Sequence, residues 1–281
     1  MRGLLLLSFA LVLRADERTQ RLAERLAREA EAFEKIAPQL VGRETLHQRV
    51  MAPPPRFKLR VGDSATHPPV AAWKERELVS EYAFTLLGRE IHELRQITSV
   101  DGKQIARASE AQGALVKLLT ASDDQRKKRA LEQLEKYGLQ GAATDFGQIL
   151  LLFTRANQER YEITAAGPRL LGTVPTQVFH YRQLDGPQAL TVFRGGAATK
   201  IGVEGEIWVR EADGLPLRIT MAATDSSTEK TLREEATVDY ALSEFGALLP
   251  VETTHRELRS GTEVAENKFT YAGFHRFGAK P

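Results

Sequence analysis

The chain has 281 residues, 42% of them hydrophobic and 27% charged, enough to bury a sizeable core and too apolar for intrinsic disorder. It contains no cysteine, which excludes disulfides, thiolate metal sites, a cysteine nucleophile and a lipid anchor attached through cysteine. Its formal net charge of +2 gives no electrostatic case for a nucleic-acid partner or an anionic membrane surface.

The chain opens on the pattern of a secretory signal peptide. Arg2 precedes an apolar core from Gly3 to Leu13, Ala15 is a small residue at the expected cleavage point, and the polar Asp16-Glu17 follows. Such a core rises about 16 Å as a helix, roughly half of a bilayer's hydrocarbon thickness. The expected organisation is therefore a leader at 1–15 and a single exported domain at 16–281, with no transmembrane anchor in the mature chain. Export without disulfides points to a periplasm, with secretion as the other possibility.

Residues 16–37 read as an amphipathic helix, with Leu22, Leu26, Ala30, Phe33 and Ile36 at three- and four-residue spacing and Pro38 as its stop. Leu40 to Val50 reads as a short strand or an irregular return. Proline-rich connectors at 51–56 and 66–69 flank an extended piece, Phe57 to Val61. Glu75–Leu87 and Ile91–Val100 alternate as strands joined by a hairpin at 88–90, and Asp101-Gly102 makes the next tight turn.

The period then changes to helical, giving an insertion over about 105–157. Ser109-Glu110-Ala111-Gln112 has the spacing of a helix start. Ser122-Asp123-Asp124-Gln125 repeats it, and that second helix stops at Gly138. Asp145–Asn157, with the apolar run Ile149 to Phe153, reads as a third helix, a buried strand being the competing reading.

From Arg160 onward the sequence is a β meander. Strands are expected at Arg160–Thr164, Arg169–Val174, Gln177–Gln183, Ala189–Phe193, Gly205–Arg210, Leu215–Ala223, Arg233–Leu242, Val251–Arg259 and Val264–Phe274, with turn residues between them. The fold class is thus mainly β (α+β). The architecture is an incomplete antiparallel barrel or strongly curved sheet, with an N-terminal helix and a helical insertion.

Catalytic and metal signatures do not emerge. The six histidines, His47, His67, His92, His180, His255 and His275, are scattered without ligand spacing. Ser227-Thr228-Glu229-Lys230 has the S-x-x-K spacing of serine acyl-transferases, but it lies in a polar loop and lacks the later motifs. The glycines at 195–196 and 202–205 precede strands rather than helices, so they are not phosphate cradles. Arg126 to Arg129 is flanked by acids on its own short helix and reads as a solvated face. No cofactor is expected, and the reading is non-enzymatic.

Residues 205–251 carry the most information. Ile207 and Val209 alternate with Trp208 and Arg210, Asp213-Gly214 turns the chain, and Pro216 opens a return strand holding Leu217, Ile219 and Met221. A second strand, a turn at Gly246 and a proline-led strand at Pro250 follow. This pattern resembles the outer-membrane lipoprotein-sorting family of periplasmic carriers, through Gly205, Ile207, Trp208, Val209, Gly214, Leu215, Pro216, Leu217 and Arg218. The resemblance implies an incomplete barrel wrapped round an apolar cavity and closed by helices.

Two functions fit. One is a periplasmic carrier or binding protein for a lipid, acyl chain or lipoprotein. Its cavity candidates are Tyr82, Phe84, Leu86, Phe179, Tyr181, Ile207, Val209, Ile219, Met221, Val238 and Tyr240. The other is a non-catalytic interaction module of the cell envelope with a filled core. The outer-face charges Glu206, Arg210, Arg218, Asp239, Glu252 and Arg256 suit the second reading.

Overall fold

The computed structural model describes residues 3–52, 71–88, 90–120, 133–139, 145–184, 190–194, 197–225 and 231–277. Its first element is a single uninterrupted helix, α1 (Gly3–Ile36), which gives way at Pro38 to a 3-10 turn, Ala37–Gln39. The expected apolar stripe is the face it buries: Leu22, Leu26, Ala30 and Phe33 are almost wholly inaccessible. Each of the larger three contributes about 1.5–3 kcal/mol through that burial.

The strands that follow are β1 (Leu40–Ala52), β2 (Ala72–Leu87), β3 (Glu90–Val100), β4 (Lys103–Gln104), β5 (Tyr161–Leu171), β6 (Val174–Gln183), β7 (Leu190–Arg194), β8 (Ala197–Ile201), β9 (Glu204–Arg210), β10 (Pro216–Asp225), β11 (Leu232–Leu242), β12 (Leu248–Arg259) and β13 (Thr262–Arg276). Eleven of them form one antiparallel sheet in the order β4-β3-β2-β1-β13-β12-β11-β10-β9-β6-β5, and β7 and β8 pair as a separate hairpin. The sheet does not close into a barrel, since β4 and β5 are its two edges. Leu40–Val50, left open between strand and irregular return, is a strand because β2 and β13 pair with it on both sides.

The sheet's inner face carries α1 and most of the core. Phe33 of α1 meets Phe84 edge-on at 4.9 Å, and Phe84 meets Tyr82 at 5.1 Å. The outer face of β1 to β3 is covered by a second helix, α2 (Ala108–Leu119), whose Leu115 buries a small cluster with Val41, Ala83 and Leu94. This helix starts one residue before the expected Ser109, with Arg107 at its N-cap and no side-chain cap. Of the second inserted helix, α3 (Gln133–Tyr137) lies within the described residues, with Leu134 buried and Gly138 N–H bonded to the Leu134 carbonyl. The segments Phe57–Val61, Ser122–Arg129 and Ser227–Lys230 lie outside the described residues.

Asp145–Asn157 is neither α-helix nor strand. It forms two 3-10 segments, Ile149–Phe153 and Arg155–Arg160, that bury Ile149, Leu150 and Phe153. The amides of Asp145 and Gly147, just ahead of the first segment, donate to the Glu93 side chain at 2.9 Å. Tyr240 holds the segment from the other side, accepting from Leu150 N–H and donating to the Gly147 carbonyl. The two strands expected at 160–164 and 169–174 are one, because Gly167, at φ 108°, is absorbed as a bulge in the β5–β6 ladder.

Gly205, the first residue of the family-like motif, has a steric role. A Cβ there would lie 2.0 Å from the Thr220 carbonyl oxygen. That oxygen accepts the Tyr181 hydroxyl at 2.8 Å, and the Thr220 hydroxyl accepts the Glu206 amide at 2.9 Å. Gly205→Ala is therefore expected to destabilise the protein by about 3 kcal/mol through overpacking. The matched control is Gly113→Ala in α2, where nothing lies within 4 Å of the added atom. It should be neutral or stabilising by up to about 1 kcal/mol, and urea unfolding of the two variants beside the parent decides it.

Candidate functional site

The sequence-predicted cavity residues come from five strands, β2, β6, β9, β10 and β11, and antiparallel alternation points most of them inward. Ten of the eleven fall in one buried cluster: Tyr82, Phe84, Phe179, Tyr181, Ile207, Val209, Ile219, Met221, Val238 and Tyr240. Leu86 does not join them; it is 44% exposed at the far end of β2. Ring contacts and α1 knit the cluster together. Phe153 meets Tyr181 edge-on at 5.0 Å, and α1 supplies Leu22, Leu26 and Phe33. Burial of the Tyr181 and Tyr240 hydroxyls pushes both well above the ordinary phenol range.

A cleft of about 630 Å³ opens on the sheet itself, lined by Tyr181, Met221 and Ala236 among polar residues of β5, β6, β9, β10 and β11, and two further clefts lie beside α1. On one side, a cleft of about 610 Å³ runs between the helix and the strands β6 and β9, floored by Leu22, Phe179 and Val209. On the other, a smaller cleft of about 250 Å³ lies between α1 and β5, lined by Leu26, Phe153, Tyr161 and Ile163. The larger of the two clefts beside α1 falls within the roughly 300–1,000 Å³ of small-molecule pockets. Two sequence-predicted residues, Phe179 and Val209, line it.

Arginine dominates the wall of the larger cleft. Arg18, Arg21, Arg25 and Arg28 recur at three- and four-residue spacing on α1, and Arg210 faces them from the end of β9. Arg25 pairs with Glu29 at 2.8 Å. Arg210 pairs bidentately with Asp213 at 2.9 and 2.7 Å, and this pairing, with the nearby Arg25, holds the Asp213 carboxyl down at about 2. The sequence places these arginines between the apolar positions of the helix. The spacing that places the leucines places them too.

A second polar feature lies inside the sheet. Arg95 on β3 binds both oxygens of Glu44 at 2.7 Å and one oxygen of Glu93 at 2.7 Å, all three nearly inaccessible. Glu93 also accepts from the Tyr82 hydroxyl at 2.9 Å, alongside the two amides of 145 and 147. Asp145 returns the bond, accepting the Glu93 amide at 2.8 Å and meeting His92 at 2.8 Å. The His92 pKa is raised, chiefly by that bond to Asp145. The signal missed in the sequence is period-two placement, since Glu93 and Arg95 share a face with Ile91 and Ile97.

His255 is buried between Glu234 and Asn267, with Phe146 stacked on its ring at 4.6 Å. Among the described residues, no cluster of three or more histidine or carboxylate side chains could hold a metal ion. No helix among them is long and apolar enough to cross a membrane. The outer-face charges are engaged with one another: Arg169 with Glu206, Arg218 with Asp239, Lys268 with Glu252 and Arg256 with Glu266.

Two outcomes are expected from the buried ionic cluster. Arg95→Met strands two buried carboxylates and should cost about 3–5 kcal/mol in urea unfolding. Burial, opposed by Arg95, pushes the Glu44 carboxyl above its ordinary 4.5. A raised folded-state pKa means that this carboxyl's contribution to stability is complete below 4.5 and is lost as pH rises through the folded value. The stability profile of Glu44→Gln should therefore be flatter than the parent's above pH 4.5, and parallel profiles would refute the assignment.

No family model and no curated protein sequence matches the chain. Solved structures similar to it include a DUF1329 family protein from Desulfovibrio piger, 10% identical, covering 93% of this chain and 94% of that chain with a TM-score of 0.36. Another is an outer membrane lipoprotein-sorting protein domain from Vibrio parahaemolyticus, 10% identical over 92% and 95% of the two chains, with a TM-score of 0.38. A third is a LolA superfamily protein from Nitrosomonas europaea, 12% identical over 91% and 94%, with a TM-score of 0.28.

Proposed function

We propose that the chain is an exported carrier or binding protein for a hydrophobic ligand, a lipid, an acyl chain or the acylated end of a lipoprotein, acting in the periplasm after removal of residues 1–15. The observation that carries this reading is the cleft of about 610 Å³ between α1 and the strands β6 and β9, with its floor of Leu22, Phe179 and Val209. A helix laid across an open sheet can part from it at one side without unzipping a β ladder. An acyl chain entering there gains about 25 cal/mol for each Å² of apolar surface taken from water. No step of the reading is catalytic.

The complete burial of Tyr82, Phe84, Ile207, Ile219 and Val238 favours the second reading, an interaction module of the envelope with a filled core. The two make different demands. A carrier holds its ligand at the α1 cleft and leaves the central core closed, whereas an interaction module binds no small amphiphile.

Lipid extraction and mass spectrometry of protein purified from a periplasm, beside a control protein handled identically, tests the carrier. Stoichiometric acyl species and an intact mass lacking residues 1–15 are the expected results. Val209→Trp, which fills the cleft floor, should retain the β signature in circular dichroism and lower binding of a fluorescent fatty-acid probe at least tenfold. A ligand-free protein that leaves the probe unbound would remove the carrier reading.

A further inference from the structure

The larger cleft beside α1 has a polarity that a purely apolar cavity would lack. Five arginines line it against three carboxylates, Glu24, Glu211 and Asp213. Two of the five are engaged, Arg25 with Glu29 and Arg210 with Asp213. Among the described residues, Arg18, Arg21 and Arg28 have no ion-pair partner, and all three are exposed along the cleft's helical wall. They stand on the same helix as Leu22, which contributes to the floor. An apolar floor beneath an arginine rim is complementary to one kind of molecule: an acyl chain that ends in an anion.

Resting on the carrier reading, we infer that this site selects single-chain amphiphiles with an anionic head, the chain lying over Leu22, Phe179 and Val209 and the carboxylate or phosphate meeting Arg18, Arg21 and Arg28. Guanidinium groups suit this task because their planar fork matches both oxyanions bidentately. Glu24 and Glu211 repel an anion that approaches away from the arginines, which favours one placement of the head in the cleft. Arg25 and Arg210 are held by their own carboxylates, so they shape the rim without being free to follow the ligand.

The test is a displacement titration of the full chain with a fluorescent fatty-acid probe, at low and at high salt, using four competitors below their micelle concentrations. Palmitate and lysophosphatidic acid carry anionic heads, monopalmitoylglycerol is neutral and lysophosphatidylcholine is zwitterionic. The anionic pair should bind at least tenfold tighter than the other two, with the margin shrinking at high salt. Whichever anion binds tighter identifies the head as carboxylate or phosphate. The triple variant Arg18→Gln, Arg21→Gln, Arg28→Gln should lose that margin, keep its affinity for monopalmitoylglycerol and keep its thermal midpoint, because the three side chains are exposed. Equal binding of all four competitors overturns the head-group inference and leaves the carrier reading standing. Failure of every competitor and of the probe overturns the carrier reading itself.

Discussion

The Glu93 carboxylate is the constraint on which the rest of the inner face depends. A buried charge survives only when nearly every lone pair is occupied, and Glu93 is occupied by Arg95, the Tyr82 hydroxyl and the amides of Asp145 and Gly147. Two of those four donors belong to a segment far along the chain. Meeting the carboxylate's demand therefore pins residues 145–147 to β3, and Gly147 is needed there because a Cβ would sit 2.6 Å from the carboxylate oxygen. The 3-10 segment that follows delivers Ile149, Leu150 and Phe153 to the core, where α1 packs on them. The helix wall of the cleft is thus positioned through a buried ion cluster and the apolar residues it brings into place.

The same segment solves an edge problem. Beyond β3 the sheet has only the two-residue β4, which leaves the free side of β3 without a full strand partner. Asp145 takes the Glu93 amide, and Gln148 reaches the Ile91 carbonyl. An edge capped by side chains cannot template another strand. The sheet can then remain open, as a surface on which a helix can lie, without inviting a twelfth strand on that side.

Much of this was legible in the sequence, and the failures share a cause. Alternation located the strands of the 205–251 region to within a few residues, because one face is buried and the other wet: Ile207 and Val209 point in, while Trp208 lies against Arg169 outside. Periodicity also placed the part of α1 from residue 16 onward, since four of its apolar positions are core. What stayed hidden depends on partners distant in sequence. The Ile149–Phe153 run has the composition of a helix, and its 3-10 form is held by Glu93 and Tyr240, both distant in sequence. Gly167 looks like a strand break until β6 carries the ladder past it. Leu86 continues the alternation of Phe84 but lies past the end of the covered surface, so pattern alone could not exclude it. The hairpin strand β8 had no expectation at all, as its Ala-Ala-Thr-Lys run lacks apolar alternation.

An interior seam of the sheet joins β1 to β13, the first strand to the last of the described ones. Arg49 and Glu263, bonded across that seam, are 214 positions apart in sequence. Until β13 is available, β1 has β2 on one side and no strand on the other, and the parts of the sheet on either side of the seam have no ladder to align them. Closing so long a loop is slow relative to forming the hairpins within each half. The chain is thus built to acquire its native sheet late, after its last strand has been made. The step that commits the chain to its native sheet therefore waits for β13.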